Sequence, residues 1–214
     1  MKYYKLANGF TIYLIPVKHA RIVRMTLTIK SGTAYETDDT LGYSHILEHI
    51  LMNSHPKYKD MEPTRITEKN GISMNASTDS DCVDYFYHGS SKYWELMFDM
   101  LIGPLHGPKF INKVFNREKM AVLEELKNYT DDQLRDYKDT IVSKLYPNCA
   151  NGSSIKDIIE STKRCTLSDI KQFYNTEYSP GSCALIVVGN FPIRKLMSRI
   201  KEIEKIQLKR QQMP

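Results

Sequence analysis

The chain has 214 residues, 41% of them apolar and 26% charged, with a formal charge of +5. This composition excludes a disordered, collagenous or low-complexity protein, and the length allows one domain with a sizeable core or two small ones. The charge excess is local: Arg194, Lys195, Arg199, Lys201, Lys205, Lys209 and Arg210, set against Glu202 and Glu204, account for all of it. Leu196, Ile200, Ile203 and Ile206 thread that stretch at helical spacing, so a buried stripe with a solvated basic face explains it better than a nucleic-acid surface, which would interleave stacking aromatics. Cys82, Cys149, Cys165 and Cys183 are scattered without paired spacing, which argues against a disulfide framework or a cysteine-rich metal site and fits a reducing compartment. Residues 1–16 lack the pattern of a secretion signal, and no run approaches the roughly 18 apolar residues of a membrane span. A cytoplasmic protein with neither membrane nor nucleic-acid partners is expected.

In chain order, residues 11–16 and 23–29 alternate β-branched and aromatic residues with others and read as strands, the first preceded by a turn at Asn8-Gly9. A helix begins near Asp39 or Thr40, either of which can cap it, and runs through Leu41, His45, Leu47 and Leu51 toward Asn53, with Pro56 beyond it. A short helix after Pro63 stops at Gly71. Residues 72–77 and 83–88 follow as two strands around a turn at Asp79, Ser80 and Asp81. Three apolar helical faces come next, built on Tyr93, Leu96, Met97, Met100 and Leu101, then Phe115, Val122, Leu126 and Tyr129, then Leu134, Tyr137, Ile141 and Leu145. After a loop at 147–152, Thr166 and Asp169 resemble a capping pair ahead of Ile170, Phe173 and Tyr174. Residues 183–188, an uninterrupted apolar run closed by Gly189, read as a buried strand, and the basic helix follows. The elements mix without strict alternation and no linker or repeat interrupts them. An α+β fold with a mixed or antiparallel sheet packed against several helices, in one domain over 1–214, is expected.

Chemistry concentrates on the helix near Thr40. His45, Glu48 and His49 form H-x-x-E-H; at about 100° per residue Glu48 lies about 60° to one side of His45 and His49 about 40° to the other, so all three share a face. Two imidazoles one turn apart can converge on one zinc ion, and a carboxylate between them can take a proton from water. Catalytic zinc normally has three protein ligands, so a further group must come from elsewhere. Glu118 and Glu125, two helical turns apart, share a face from which Glu124 is rotated by about 100°; one can ligate while the other orients a ligand.

These residues, and the segments around them, resemble the pitrilysin-type (M16) zinc metallopeptidases, whose inverted motif H-x-x-E-H is followed by a distant Glu. Residues 6–10 with the following strand, the Ser31 to Glu36 segment and Leu41-Gly42-Tyr43-Ser44 match the family's opening. Asn75-Ala76-Ser77-Thr78 is similar to its substrate-side strand, the segment from Arg117-Glu118 to Glu125 to its third-ligand helix, and Tyr178-Ser179-Pro180 with residues 185–189 to the close of its first domain. The chain departs from the pattern at Asn53-Ser54-His55-Pro56, in place of a Gly-Thr turn, and at Asn70-Gly71, in place of Gly-Gly. It also stops where the family continues into a related second domain that supplies Arg and Tyr contacts to the substrate.

The resemblance implies a zinc metalloendopeptidase acting on unfolded or extended peptides. Zn2+ would be held by His45, His49 and Glu125, with Glu48 as general base, Glu118 orienting a ligand, and Asn75, Ala76, Ser77 and Thr78 binding peptide as an edge strand. Glu125 is preferred to Glu124 because it shares a face with Glu118 and matches the family's seven-residue interval. His19, His55, His88 and His106 are expected to be ordinary residues. The rival expectation is a non-catalytic subunit of a larger processing or assembly complex. The absent second domain implies a homodimer or a separate partner.

Overall fold

A computed structural model describes residues 1–130, 133–146 and 150–204. Cys149, Lys205, Ile206, Lys209, Arg210 and the side chain of Leu134 lie outside the described residues. The elements are β1 (Lys2–Lys5), β2 (Thr11–Pro16), β3 (Ile22–Ile29), α1 (Tyr43–Asn53), α2 (Glu62–Lys69), β4 (Ser73–Thr78), β5 (Val83–Ser90), α3 (Trp94–Ile102), α4 (Asn112–Thr130), α5 (Gln133–Leu145), α6 (Ile155–Arg164), α7 (Leu167–Glu177), β6 (Cys183–Gly189) and α8 (Ile193–Ile203).

The strands form one mixed sheet in the order β1-β2-β6-β3-β5-β4. The last strand in sequence enters the middle, parallel to β2 and antiparallel to β3. Period-two alternation decides which side chains are covered: Ile12, Leu14, Val23, Met25, Leu27, Val83, Tyr85, Leu185 and Val187 are buried together under the helices. On the other face Arg24 stacks over Phe86 at 4.1 Å and the Thr28 hydroxyl donates to Asp84 at 2.6 Å. The expected fully buried strand at 183–188 is therefore corrected: Cys183, Leu185, Val187 and Gly189 are buried, whereas Ala184, Ile186 and Val188 are half-buried on the open face. An apolar run does not reveal whether one or both faces of a strand are covered.

Three further elements differ from expectation. β1 is an additional edge strand, joined to β2 through a turn in which Gly9 takes φ 90°. α6 is an additional helix, opened by a reciprocal cap between Ser154 and Asp157. α5 is a helix, yet Tyr137, Ile141 and Leu145 on its apolar face are exposed. Periodicity identified an amphipathic helix there without saying what covers it.

The start of α1 matters most for the site. The expected cap at Asp39 or Thr40 is corrected: α1 begins at Tyr43, after Gly42 in the left-handed region at φ 82°. Thr40 is committed to the preceding turn, its hydroxyl accepting from the Thr37 amide at 2.8 Å. The Glu36 carboxylate caps α1 instead, accepting the Gly42 and Ser44 amides at 2.8 Å each. A Cβ on Gly42 would also come within 2.8 Å of the Thr162 hydroxyl and 3.1 Å of Ile158 on α6. Glycine is needed here both for the positive φ and for the close approach of α6. The helix that carries the histidines is thus fixed at its first turn by two other segments.

Candidate metal centre

α1 presents His45 and His49 on one face with ring centroids 4.8 Å apart, and buries Glu48 between them. α4 packs across α1 and brings Glu125 to the same point: its Oε2 is 3.4 Å from His45 Nε2 and its Oε1 3.7 Å from His49 Nε2. One donor atom from each of the three residues lies within 4.8 Å of the other two. Tetrahedral zinc with bonds of roughly 2.0–2.1 Å places neighbouring donors roughly 3.3 Å apart, so two imidazole nitrogens and a carboxylate at these separations fit that ion in both number and type. Glu124, one residue away, faces solvent.

Glu118 sits behind His49, with Oε2 3.5 Å from Nδ1. An acceptor there makes Nδ1 the protonated nitrogen and leaves the Nε2 lone pair toward Glu125. Glu118 Oε1 in turn accepts from Arg117 at 2.6 and 2.8 Å and from the Asn53 amide at 3.2 Å. Sequence reasoning assigned no role at the site to Arg117, Asn53, Asp60 or Glu36. Only Arg117, adjacent to Glu118, carried a local signal.

Burial, and then the repulsion that a protonated His49 would exert, pull His45 down to about 4, so it is neutral and has a free lone pair. Burial also depresses His49, but Glu118, Glu125 and Glu48 outweigh it and the net shift is upward. Glu48 is raised, chiefly by burial, against the Thr78 hydrogen bond and His49. Burial would raise Glu118, but His49 and Arg117 overcome it and hold the carboxyl below its usual range.

β4 is the outer strand of the sheet and borders the same cleft, which encloses about 990 Å³. Asn75, Ala76, Ser77 and Thr78 all line it. The Ala76 amide donates to Asn75 Oδ1 at 2.9 Å, away from β5, and therefore points to the open edge. Thr78 has a more specific place than its strand alone implied: its hydroxyl donates to Glu48 Oε2 at 2.6 Å. Val142 on α5 and Tyr146 just after it contribute to the same cleft. Of the other histidines, His55 is buried with Nδ1 accepting the Lys57 amide at 3.1 Å and Nε2 3.0 Å from the Asp99 carbonyl, so both ring nitrogens are used structurally. Among the described residues no helix is long and apolar enough to cross a membrane.

The chain is similar to the uncharacterized zinc protease YmxG of Bacillus subtilis, 25% identical over 205 residues that cover 96% of this chain and 49% of the relative. The crystal structure of a protease from Helicobacter pylori superposes over the whole chain with a TM-score of 0.91 at 23% identity, covering 52% of that protein. The periplasmic protease PqqL from Escherichia coli superposes with a TM-score of 0.86 at 20% identity, covering 24% of it. The chain spans half or less of the length of the curated relatives it matches. The family model for insulinase, peptidase family M16, matches residues 12–157, a segment that contains both histidines, Glu48, Glu118, Glu125 and β4, and the chain therefore belongs to the M16 peptidase family.

Proposed function

We propose that residues 1–214 form a single zinc-bearing domain of a metalloendopeptidase that cleaves unfolded or extended peptides. The observation that carries this reading is the convergence of His45, His49 and Glu125, with their donor atoms within 4.8 Å of one another and Glu48 buried beside them. Zinc, when bound, acidifies water and polarises the peptide carbonyl as a Lewis acid. Glu48 takes the proton of the attacking water and delivers it to the leaving amine. Its raised pKa brings its basicity nearer to neutral pH, where a general base works best, and the Thr78 hydroxyl holds it in place. His49 is oriented by Glu118 and ligates through Nε2. The open edge of β4 receives the peptide as an added strand through main-chain hydrogen bonds, so recognition tolerates many side chains.

The relatives' additional length supports a second module, from the same polypeptide, another copy of this chain or a separate partner, that closes the cleft from the other side. Contacts of that kind position the scissile bond and are worth several kcal/mol of barrier, so residues 1–214 taken by themselves are expected to be a poor peptidase. The presence of the whole ligand set and of Glu48 favours an enzyme over a non-catalytic subunit. Cys82, Cys165 and Cys183 are free thiols, which supports a reducing, cytoplasmic location. Metal analysis, peptide turnover and light scattering on one sample test the reading. One zinc per chain, with turnover that rises when the second module is supplied, is expected. A chain without zinc overturns the reading, and efficient cleavage by a strict monomer overturns the need for a partner.

A further inference from the structure

Arg117 lies on α4 and Asp60 in the connection between α1 and α2. The guanidinium makes a two-pronged contact with Asp60, Nη1 to Oδ2 at 2.7 Å and Nη2 to Oδ1 at 2.9 Å. The same guanidinium donates through Nε and Nη2 to Glu118 Oε1 at 2.8 and 2.6 Å. The Asn53 side-chain amide reaches that oxygen at 3.2 Å while also donating to the His49 carbonyl at 3.2 Å. Glu118 Oε1 is therefore saturated by donors, and Oε2 is the oxygen left to face His49 Nδ1 at 3.5 Å. A carboxylate on a helix surface normally rotates freely. Here its rotation is stopped by a planar fork whose other side is anchored on a different segment.

We infer that Asp60 and Arg117 are positioning residues that set the zinc affinity of the site through Glu118 and the orientation of His49. The inference rests on the metal reading proposed above. Asp60 fixes the guanidinium, the guanidinium fixes one oxygen of Glu118, and the other oxygen fixes the ring whose Nε2 faces Glu125. Without Arg117, Glu118 can turn away from His49 or compete with Glu125 for the cation, and the imidazole loses the acceptor that selects its tautomer. Lysine cannot substitute, because an ammonium group cannot hold two carboxylates in the geometry of a fork.

Zinc affinity is measured by chelator competition on the full chain, with circular dichroism as the check on folding. Arg117→Lys and Arg117→Ala are each expected to weaken zinc binding roughly 10- to 100-fold, the cost typical of losing an outer partner of a ligand. Asp60→Asn is expected to weaken it by a smaller factor and keeps the inference testable if the Arg117 variants fold poorly. In a Glu118→Gln background the Arg117 substitutions are expected to cost little more, because the group they act through is already lost. Wild-type affinity in folded Arg117→Lys and Asp60→Asn chains would overturn the inference, as would equal losses with and without Glu118, the signature of a merely structural ion pair. A wild-type chain that binds no zinc defeats the metal reading itself, an outcome separate from wild-type binding that the Arg117 variants retain.

Discussion

The two walls of the cleft are built on different principles. On one, the polar groups of α1 and the middle of α4 are already engaged: the first α1 amides by Glu36, Glu48 by Thr78, and Glu118 by Arg117 and Asn53. On the other, β4 offers an open strand edge, and Tyr146, just after α5, lines the cleft while remaining exposed. A catalytic group must be held to within fractions of an ångström, which takes a rigid and saturated surround. A surface that receives a peptide or a partner needs unclaimed donors and apolar area. The same contrast separates the carboxylates of α4: the side chain of Glu118 is 9% exposed and held by Arg117 and Asn53, whereas that of Glu125 is 44% exposed and its ion pairs among the described residues are with the two imidazoles. The committed carboxylate is the one suited to orient a ring, and the less committed one is the one suited to meet a cation.

The contrast can be broken in order of expected effect. Replacing Glu125 by Gln removes the charged ligand and should strip the metal and abolish turnover, whereas Glu124→Gln should leave both unchanged; metal analysis of the two variants decides between them, and the reverse result would reassign the ligand. Glu48→Gln should retain zinc while turnover falls roughly 100- to 10,000-fold, the range for a lost acid-base group. Full activity in that variant would remove the mechanism.

Glu36 tests whether the rigid wall carries a cost. Burial pushes its carboxyl up to about 7 against the two α1 amides, from an ordinary value of 4.5. The folded chain therefore holds a proton that the unfolded chain has released, and stability should fall as pH rises from about 4.5 to about 7, by about 3 kcal/mol in all, and then level off. Glu36→Gln should flatten that limb of the profile; denaturant midpoints at a series of pH values would show it, and parallel profiles for the two chains would contradict it. The smallest effect is on the receptive wall. Ala76→Pro deletes an outward amide that is not part of the ladder to β5, so the fold should persist while peptide affinity drops by about 1 kcal/mol, the worth of one hydrogen bond. Unchanged affinity would mean that the Asn75 side chain already closes the edge.

What was legible in the sequence follows from the range of the interactions. His45, Glu48 and His49 lie within five residues on one helix, and helical geometry alone places them on a common face. The strands at 11–16 and 83–88 and the cap at Thr166 and Asp169 are equally local, because pleat period and capping are properties of short segments. Glu125 could be narrowed by its interval from Glu118, but its arrival at the imidazoles depends on how α4 crosses α1. The cap of α1 was misplaced because the acceptor is Glu36, outside the window in which a capping residue is sought. The apolar run of β6 reads as a buried strand because its sequence does not record that helices cover only one face of the sheet.

The sequence by itself determined which groups can do the chemistry: two imidazoles and a carboxylate on one helical face, and a second acidic pair two turns apart. Tertiary structure alone decided how they are held. Asp60 reaches Arg117 across 57 positions and Asn53 reaches Glu118 across 65. No periodicity links residues so far apart, because their contact depends on the packing of α4 against α1 and not on the backbone geometry of either helix.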